Sequence, residues 1–430
     1  MLSNPARMAD REPRAHARLL TVLALGLVAR LVVLALLPEG AVSADAHYWE
    51  VVAATLRRGL NPYVETTLLN WPPLWMMVIA ALDWTARTLG VPFQRALVGF
   101  LVAADLAAMA LSWLLLRRLW PRARAERWVA LGLALNPVSI LLCCQHRNFD
   151  VLVALSVLAA LLALERRDRS GAVEDWLSAC GWLGLGVLAK TVPLLLAPLL
   201  APGARRARAL GVALFLGPTA LALGVLAALA PAAVERNVLS YRSASGFYGL
   251  TGLLHLAGWL QAEALLARVA APLFFLVAAV LTVLFLRRDR PVAPAASTVG
   301  AAVLLLAVPV LGPGYAPQYV GWVLPLLTVL AASGERRLLS VLAVFAAVLV
   351  CTDVIEYALL PTHGAWALHH GHPPLLDRWS AAVRTQTGQT LLRLPLFVVS
   401  LGLLGELIRT WRRWLSEPEA RPMAPATNGR

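Results

Sequence analysis

Apolar runs of roughly 14 to 24 residues recur along the whole chain, separated by short breaks rich in Arg or in Pro and Gly. Runs of that length can close all their backbone hydrogen bonds in helices across hydrocarbon, and their repetition excludes an ordinary soluble domain. The composition agrees: 14% of the 430 residues are charged and 59% hydrophobic, against about 25% charged in soluble proteins. The expected fold class is all-α, a polytopic transmembrane helical protein.

A formal charge of +14 would suggest nucleic acid in a soluble chain. Here the basic residues sit in clusters between apolar runs, so the positive-inside rule explains them and no nucleic-acid partner is expected. Cys143, Cys144, Cys180 and Cys351 lie in apolar stretches and read as packing residues, without a disulfide framework.

Topology follows from parity. The polar, basic start precedes an apolar run at 19–37 with no visible cleavage site, which reads as a retained first span with the N-terminus inside. Clusters at 117–127, 166–169, 205–208, 287–290, 336–337 and 409–413 are placed on the same side, so an even number of crossings separates neighbours. Three apolar stretches precede 117–127. The one at Leu74 to Leu89, carrying Asp83, Arg87, Trp75 and Trp84, is the poorest span and is expected to lie on the outer surface. The stretch 176–202 must return to its own side, as two short half-helices meeting near Lys190, Thr191, Val192 and Pro193. The count is about 12 crossings, with external segments at 38–95, 145–150, 231–263, 312–318 and 361–393. Residues 1–430 form one integral membrane domain. Within it, 20–202 is the expected catalytic module with its first external loop at 38–95, 208–410 is a C-terminal helical set, and 411–430 is a cytoplasmic tail.

Ionisable groups at membrane depth are expensive and therefore candidates for function. A helix from Ala44 to Arg58 puts Asp45, Tyr48, Trp49 and Val52 on one face, where Asp45 is either a general base or an N-terminal helix cap. Asp150 closes the turn QHRNFD beside His146, Arg147 and Asn148, as a site residue or as a capped, satisfied charge. Lys190, the one lysine of the chain, either binds a lipid phosphate or snorkels. Tyr241 and Arg242, in a loop of Ser, Tyr and Gly, suit an anionic head group. Tyr315, Gln318 and Tyr319 open a span as site residues or as an aromatic belt. His363, His369, His370 and His372 are a metal cluster or a solvated loop.

In order, these motifs resemble the membrane-embedded GT-C fold glycosyltransferases that use polyprenyl-phosphate sugars, with bacterial and archaeal mannosyltransferases and the glycolipid-anchor mannosyltransferase as the nearest look-alikes. The resemblance is carried by Asp45 with Tyr48 and Trp49, GLNPY at 59–63, NWPPLW at 70–75, LNP at 135–137, QHRNFD, LAKTVPLLLAP, YRSASGFYGL and APQYVGWVLPLL. It covers about residues 20 to 335.

The resemblance implies inverting transfer of a hexose, mannose favoured, from a polyprenyl-phosphate donor to a lipid or glycan acceptor on the non-cytoplasmic side of the plasma membrane. Asp45 would be the catalytic base, with Lys190, Arg242 and Arg147 on the donor phosphate. Asp150, His146, Tyr48, Asn70, Tyr241, Tyr315, Gln318 and Tyr319 would contact substrate. Many relatives carry paired acids in the first loop, whereas the nearest acid to Asp45 is Glu50; no cofactor is required by the pattern, and a divalent cation stays open. The rival readings are a transporter or flippase of lipid-linked glycans, in which Arg30, Asp105 and Lys190 would be mid-membrane charges, and a glycan ligase or polymerase.

Overall fold

A computed structural model describes residues 11–38, 40–200, 207–240, 244–287, 292–369 and 374–416, and among these the secondary structure is helical, without strands. The principal helices are α1 (Arg11–Leu36), α2 (Ala44–Arg57), α3 (Leu74–Leu89), α4 (Phe93–Leu119), α5 (Val151–Ser170), α6 (Val173–Ala189), α7 (Arg208–Leu229), α8 (Leu260–Arg287), α9 (Pro294–Leu311), α10 (Val320–Ala331), α11 (Arg336–Leu359) and α12 (Gln386–Ser416). Seven stretches among the described residues are long and apolar enough to cross a membrane, or eight with one bent pair: Ala15–Leu36, Phe93–Leu119, Arg208–Leu229, Leu260–Leu284, Pro294–Leu311, Arg336–Leu359 and Gln386–Ser416. The difference from about 12 apolar runs lies in runs that fold into short, bent or enclosed helices. One such run breaks at Asn136, whose side chain accepts from Val138 N at the start of a Pro-led turn, bending the segment by 51°.

α5 is the pillar of the bundle. Every residue from Ser156 to Glu165 is buried, as expected of a helix apolar all round, and it packs against α4, α6, α9 and α10. The segment after α5 folds back on itself. α6 ends at Ala189, Lys190 is extended, and a tight nine-residue 3-10 segment, Val192–Leu200, follows. Trp176 Nε1 donates to Leu200 O at 3.0 Å, so the two ends of the hairpin meet, as parity required.

α3 is amphipathic. Trp75, Ile79, Asp83 and Ala86 are buried on one face, while Trp84 is 63% exposed. Asp83 is held by Arg57 on one oxygen and by Arg87 at 3.1 Å on the other. The helix is outside the set long and apolar enough to span, which suits a surface position.

The basic clusters converge at one end. Arg18 pairs with Glu126 at 3.1 Å, Arg118 with Glu165 at 2.9 Å, Arg337 with Glu406 at 3.0 Å and Arg413 with Glu335 at 2.6 Å. Arg205, Arg206, Arg288 and Arg290 lie outside the described residues. The opposite end carries α2, α3, the 145–150 turn and the start of α12. Between the ends, Arg30 is fully buried. It donates to Asp105 at 2.6 Å, Ser139 at 2.9 Å and the carbonyls of Gly26, Ala134 and Leu133, tying α1 and α4 to the bent segment with its donors satisfied. That saturated knot is a packing device, which removes the main motive for the transporter reading.

Small residues set the approach of α6 and α7: a Cβ on Gly184 would stand 2.2 Å from Leu214 O, and one on Gly211 2.2 Å from Trp176 Cη2. Gly184→Val forces backbone apart and is expected to destabilise by about 1–3 kcal/mol, read as a lower melting temperature in detergent; an unchanged melting temperature would contradict this close approach.

Candidate functional site

α2 is docked onto the wide helical turn Leu142–His146 before it presents its carboxylate. Ser43 N donates to Gln145 O at 3.0 Å, and Ser43 Oγ donates to His146 O. Ser43 occupies the N-cap position without capping the helix through its side chain. Asp45 is not a cap either. Its Oδ2 accepts from Asn148 Nδ2 at 2.5 Å and lies 3.3 Å from His146 Nε2. The turn reaches Asp45 because the chain reverses at Arg147, a non-glycine residue with φ of 57°, directly after a π-type turn of the kind that marks functional sites. Burial pushes the Asp45 carboxyl up, but the His146 ring beside it, the hydrogen bond from Asn148 and the Lys190 charge outweigh it and hold the group below the usual carboxylate range.

Lys190 and Asp150 form the second half of the site. Lys190 is 2% exposed and donates to Asp150 Oδ1 at 2.7 Å; Trp322 Nε1 donates to the same oxygen at 2.5 Å. The ammonium stands 4.2 Å from the Trp71 ring centroid, 4.9 Å from Trp322, 5.2 Å from Tyr319 and 5.5 Å from Phe149. This aromatic box is cation–π packing, and it excludes snorkelling. Lys190, Asn70, Trp71 and Thr191 line the polar end of a cavity of about 360 Å³, whose remainder is walled by apolar side chains of α8 and α9 such as Leu266, Phe274, Leu304 and Leu311.

Both carboxylates are held through one oxygen: Asn148 donates to Asp45 Oδ2 with His146 Nε2 3.3 Å away, and Lys190 and Trp322 donate to Asp150 Oδ1. Asp45 Oδ1 and Asp150 Oδ2 accept no hydrogen bond from the described residues. The Asp45 side chain keeps 26% of its surface open. The arrangement offers an acceptor for a proton, a fixed cation and an apolar slot.

The other expected residues divide. Asn70 lines the cavity, and with its amide nitrogen turned toward them it reaches Thr67 O at 3.1 Å and Asn237 O at 3.3 Å. Tyr319 lines it too, stacked on Trp322 at 4.6 Å. Gln318 faces a smaller cavity of about 40 Å³ beside Asp105 and Asp150. Arg147 is engaged elsewhere, donating to Gln94 at 2.8 Å and to Cys144 O at 3.0 Å. Tyr48 is 41% exposed. Tyr315 belongs to another cluster, with its hydroxyl 3.5 Å from Asp353 and its ring 4.4 Å from Tyr248. Tyr241, Arg242, His370 and His372 lie outside the described residues. Among those described, no group of three or more His, Cys, Asp or Glu is placed to hold a metal. His363 is buried beside His146, with ring centroids 5.5 Å apart.

The C-terminal helices contribute residues that the sequence reading passed over. Tyr357 OH lies 2.8 Å from His146 Nδ1. Gln145 Nε2 donates to Tyr357 O at 3.0 Å and His363 O at 2.7 Å. Glu356 accepts both forks of Arg393 at 2.6 and 3.0 Å and stands 3.7 Å from His363. The missed signal was available: Asp353 and Glu356 are acids three residues apart in an otherwise apolar run, the kind of intramembrane charge that needs a partner.

A model of glycosyltransferase family 87 matches residues 69–309, a span that contains Trp71, His146, Asp150 and Lys190 and begins after Asp45. No curated protein matches the chain.

Removing one partner of a buried ion pair strands the other. Lys190→Met is therefore expected to lower stability by about 3 kcal/mol, and the double variant with Asp150→Asn to recover most of it. A double-mutant cycle in detergent measures this; additive losses would mean that the two groups do not depend on each other.

Proposed function

The chain belongs to glycosyltransferase family 87, and from that membership we propose that it moves a single hexose, mannose by analogy with its look-alikes, from a polyprenyl-phosphate donor to a lipid or glycan acceptor, with inversion. The observation that carries this is Lys190 at the polar end of an otherwise apolar cavity. A polyprenyl phosphate is a long apolar chain ending in an anion, and a fixed ammonium at the end of an apolar slot is its complement. Arg242, outside the described residues, is the second candidate for the phosphate on the strength of the resemblance. Arg147 acts by holding the turn that carries His146 and Asn148.

The acceptor hydroxyl attacks the anomeric carbon. The bond from that carbon to the phosphate oxygen breaks with its electron pair, and the hydroxyl proton passes to Asp45. Lys190 offsets the charge gathering on the leaving phosphate, the costly part of the step. Asp150 keeps the ammonium in place and has an oxygen left for a sugar hydroxyl, with Asn70, Gln318, Tyr319, Tyr48, Tyr241 and Tyr315 as further substrate candidates. A weak base suffices, because the hydroxyl becomes acidic only as its oxygen bonds to carbon. No divalent cation enters this scheme. The positive-inside rule assigns the basic end to the cytoplasm and hence the site to the outer face of the plasma membrane.

Asp45→Asn is expected to abolish transfer from a polyprenyl-phosphate sugar in a reconstituted assay while the protein still elutes as a monodisperse peak; retained turnover removes Asp45 from the role. Because the Asp45 carboxyl is held below the ordinary range, its base form persists through mildly acidic pH. The kcat/KM profile is expected to be flat down to about pH 4 and to fall only below it. An acidic limb between pH 6 and 7 would assign the proton acceptor to another group.

A further inference from the structure

His146 is 4% exposed, and its two nitrogens face different partners. Nδ1 lies 2.8 Å from the Tyr357 hydroxyl. Nε2 lies 3.3 Å from Asp45 Oδ2, short of hydrogen-bond geometry, and has no hydrogen-bond partner among the described residues. A neutral imidazole carries one N–H and one lone pair, so the partner of one nitrogen sets what the other presents. If Nδ1 held the proton, Nε2 would aim its lone pair at a carboxylate oxygen. With the Tyr357 hydroxyl donating to Nδ1, the ring keeps its proton at Nε2 and gives it to Asp45.

Resting on Asp45 as the base, we propose that Tyr357 is a positioning residue that fixes the His146 tautomer, so that His146 and Asn148 both donate to Asp45 Oδ2 and Oδ1 is the oxygen that receives the acceptor's proton. During the step one proton moves, from the acceptor hydroxyl to Oδ1; His146 keeps its own. Tyr357 is placed for this by the fold. Its backbone carbonyl accepts from Gln145, the residue before His146, so the same peptide segment is held at backbone and ring. Gly364, at φ of 101° and so close that a Cβ there would stand 2.7 Å from Ala41 C, brings the loop after α11 against the stretch of chain that leads into α2. The C-terminal part thus closes the base from behind.

The charged and titratable surroundings are few. Lys190 acts on Asp45 by its charge, and His47 and Glu50 lie on the exposed side of α2. His363 packs edge-on to both His146 and Tyr357. Burial first, with the Arg393 charge, holds the His363 imidazole well below its usual range, so it stays neutral beside His146. Glu356 is occupied by Arg393, and Asp150 by Lys190 and Trp322.

The test is Tyr357→Phe, which removes one oxygen from a packed ring. Its kcat is expected to fall roughly 10-fold to 100-fold with donor KM within about twofold, since the donor is held elsewhere. Asp45 loses a donor to its charged form, so the acidic limb of kcat/KM moves to higher pH. His146→Gln, whose amide can still donate to Oδ2, is expected to retain about 10-fold more activity than His146→Ala, and Tyr357→Phe should cost nothing further in the Gln background. Unchanged kcat, an unmoved limb, or additive losses in the double variant would overturn the positioning role. The underlying base assignment fails separately, if Asp45→Asn stays active.

Discussion

The Lys190–Asp150 pair fixes the register of elements that otherwise meet only through apolar packing. An ammonium and a carboxylate, each nearly excluded from solvent, persist in such a place only when paired and further satisfied. The satisfaction comes from four directions: Asp150 at the head of α5, Trp322 on α10, Trp71 in the first outer loop and the break after α6 that delivers Lys190 itself. The hairpin 176–200 therefore turns where it does because its one cation has a fixed address. The cavity between it, α8 and α9 opens beside that cation.

The buried carboxylates fall into two patterns. Asp83 uses both oxygens, one on Arg57 and one on Arg87. Glu356 takes Arg393 through both, and Glu406 does the same with Arg409. Those groups hold helices together. Asp45 and Asp150 instead are held through one oxygen and leave the other without a hydrogen-bond partner among the described residues. A half-satisfied carboxylate at a buried site is costly, and it is the feature that a substrate hydroxyl can complete.

Much of the architecture was legible in the sequence. Asp83 and Arg87 spoil one apolar run and turn it into an amphipathic outer helix; the break at Lys190 follows from parity; and the clusters carrying Arg118, Arg337 and Arg413 do gather at one end. The aim of single side chains was less legible: Arg147 bonds Gln94 and the Cys144 carbonyl, and Tyr315 turns to Asp353 and Tyr248. Sequence spacing gives the order of side chains along an element, not the direction in which a turn aims them.

The sequence alone determined that the chain is a bundle of membrane helices with one basic end, because hydrocarbon admits little else and charge can be counted along a string. It also singled out Asp45, Asp150 and Lys190, because isolated charges in apolar surroundings are conspicuous. Only the tertiary structure decided that His146 faces Asp45, that Tyr357 stands behind it from 211 residues away, and that Lys190 is boxed by aromatic rings. Those contacts join distant segments through side-chain geometry, and a tautomer or a free oxygen is set by partners that no local pattern encodes.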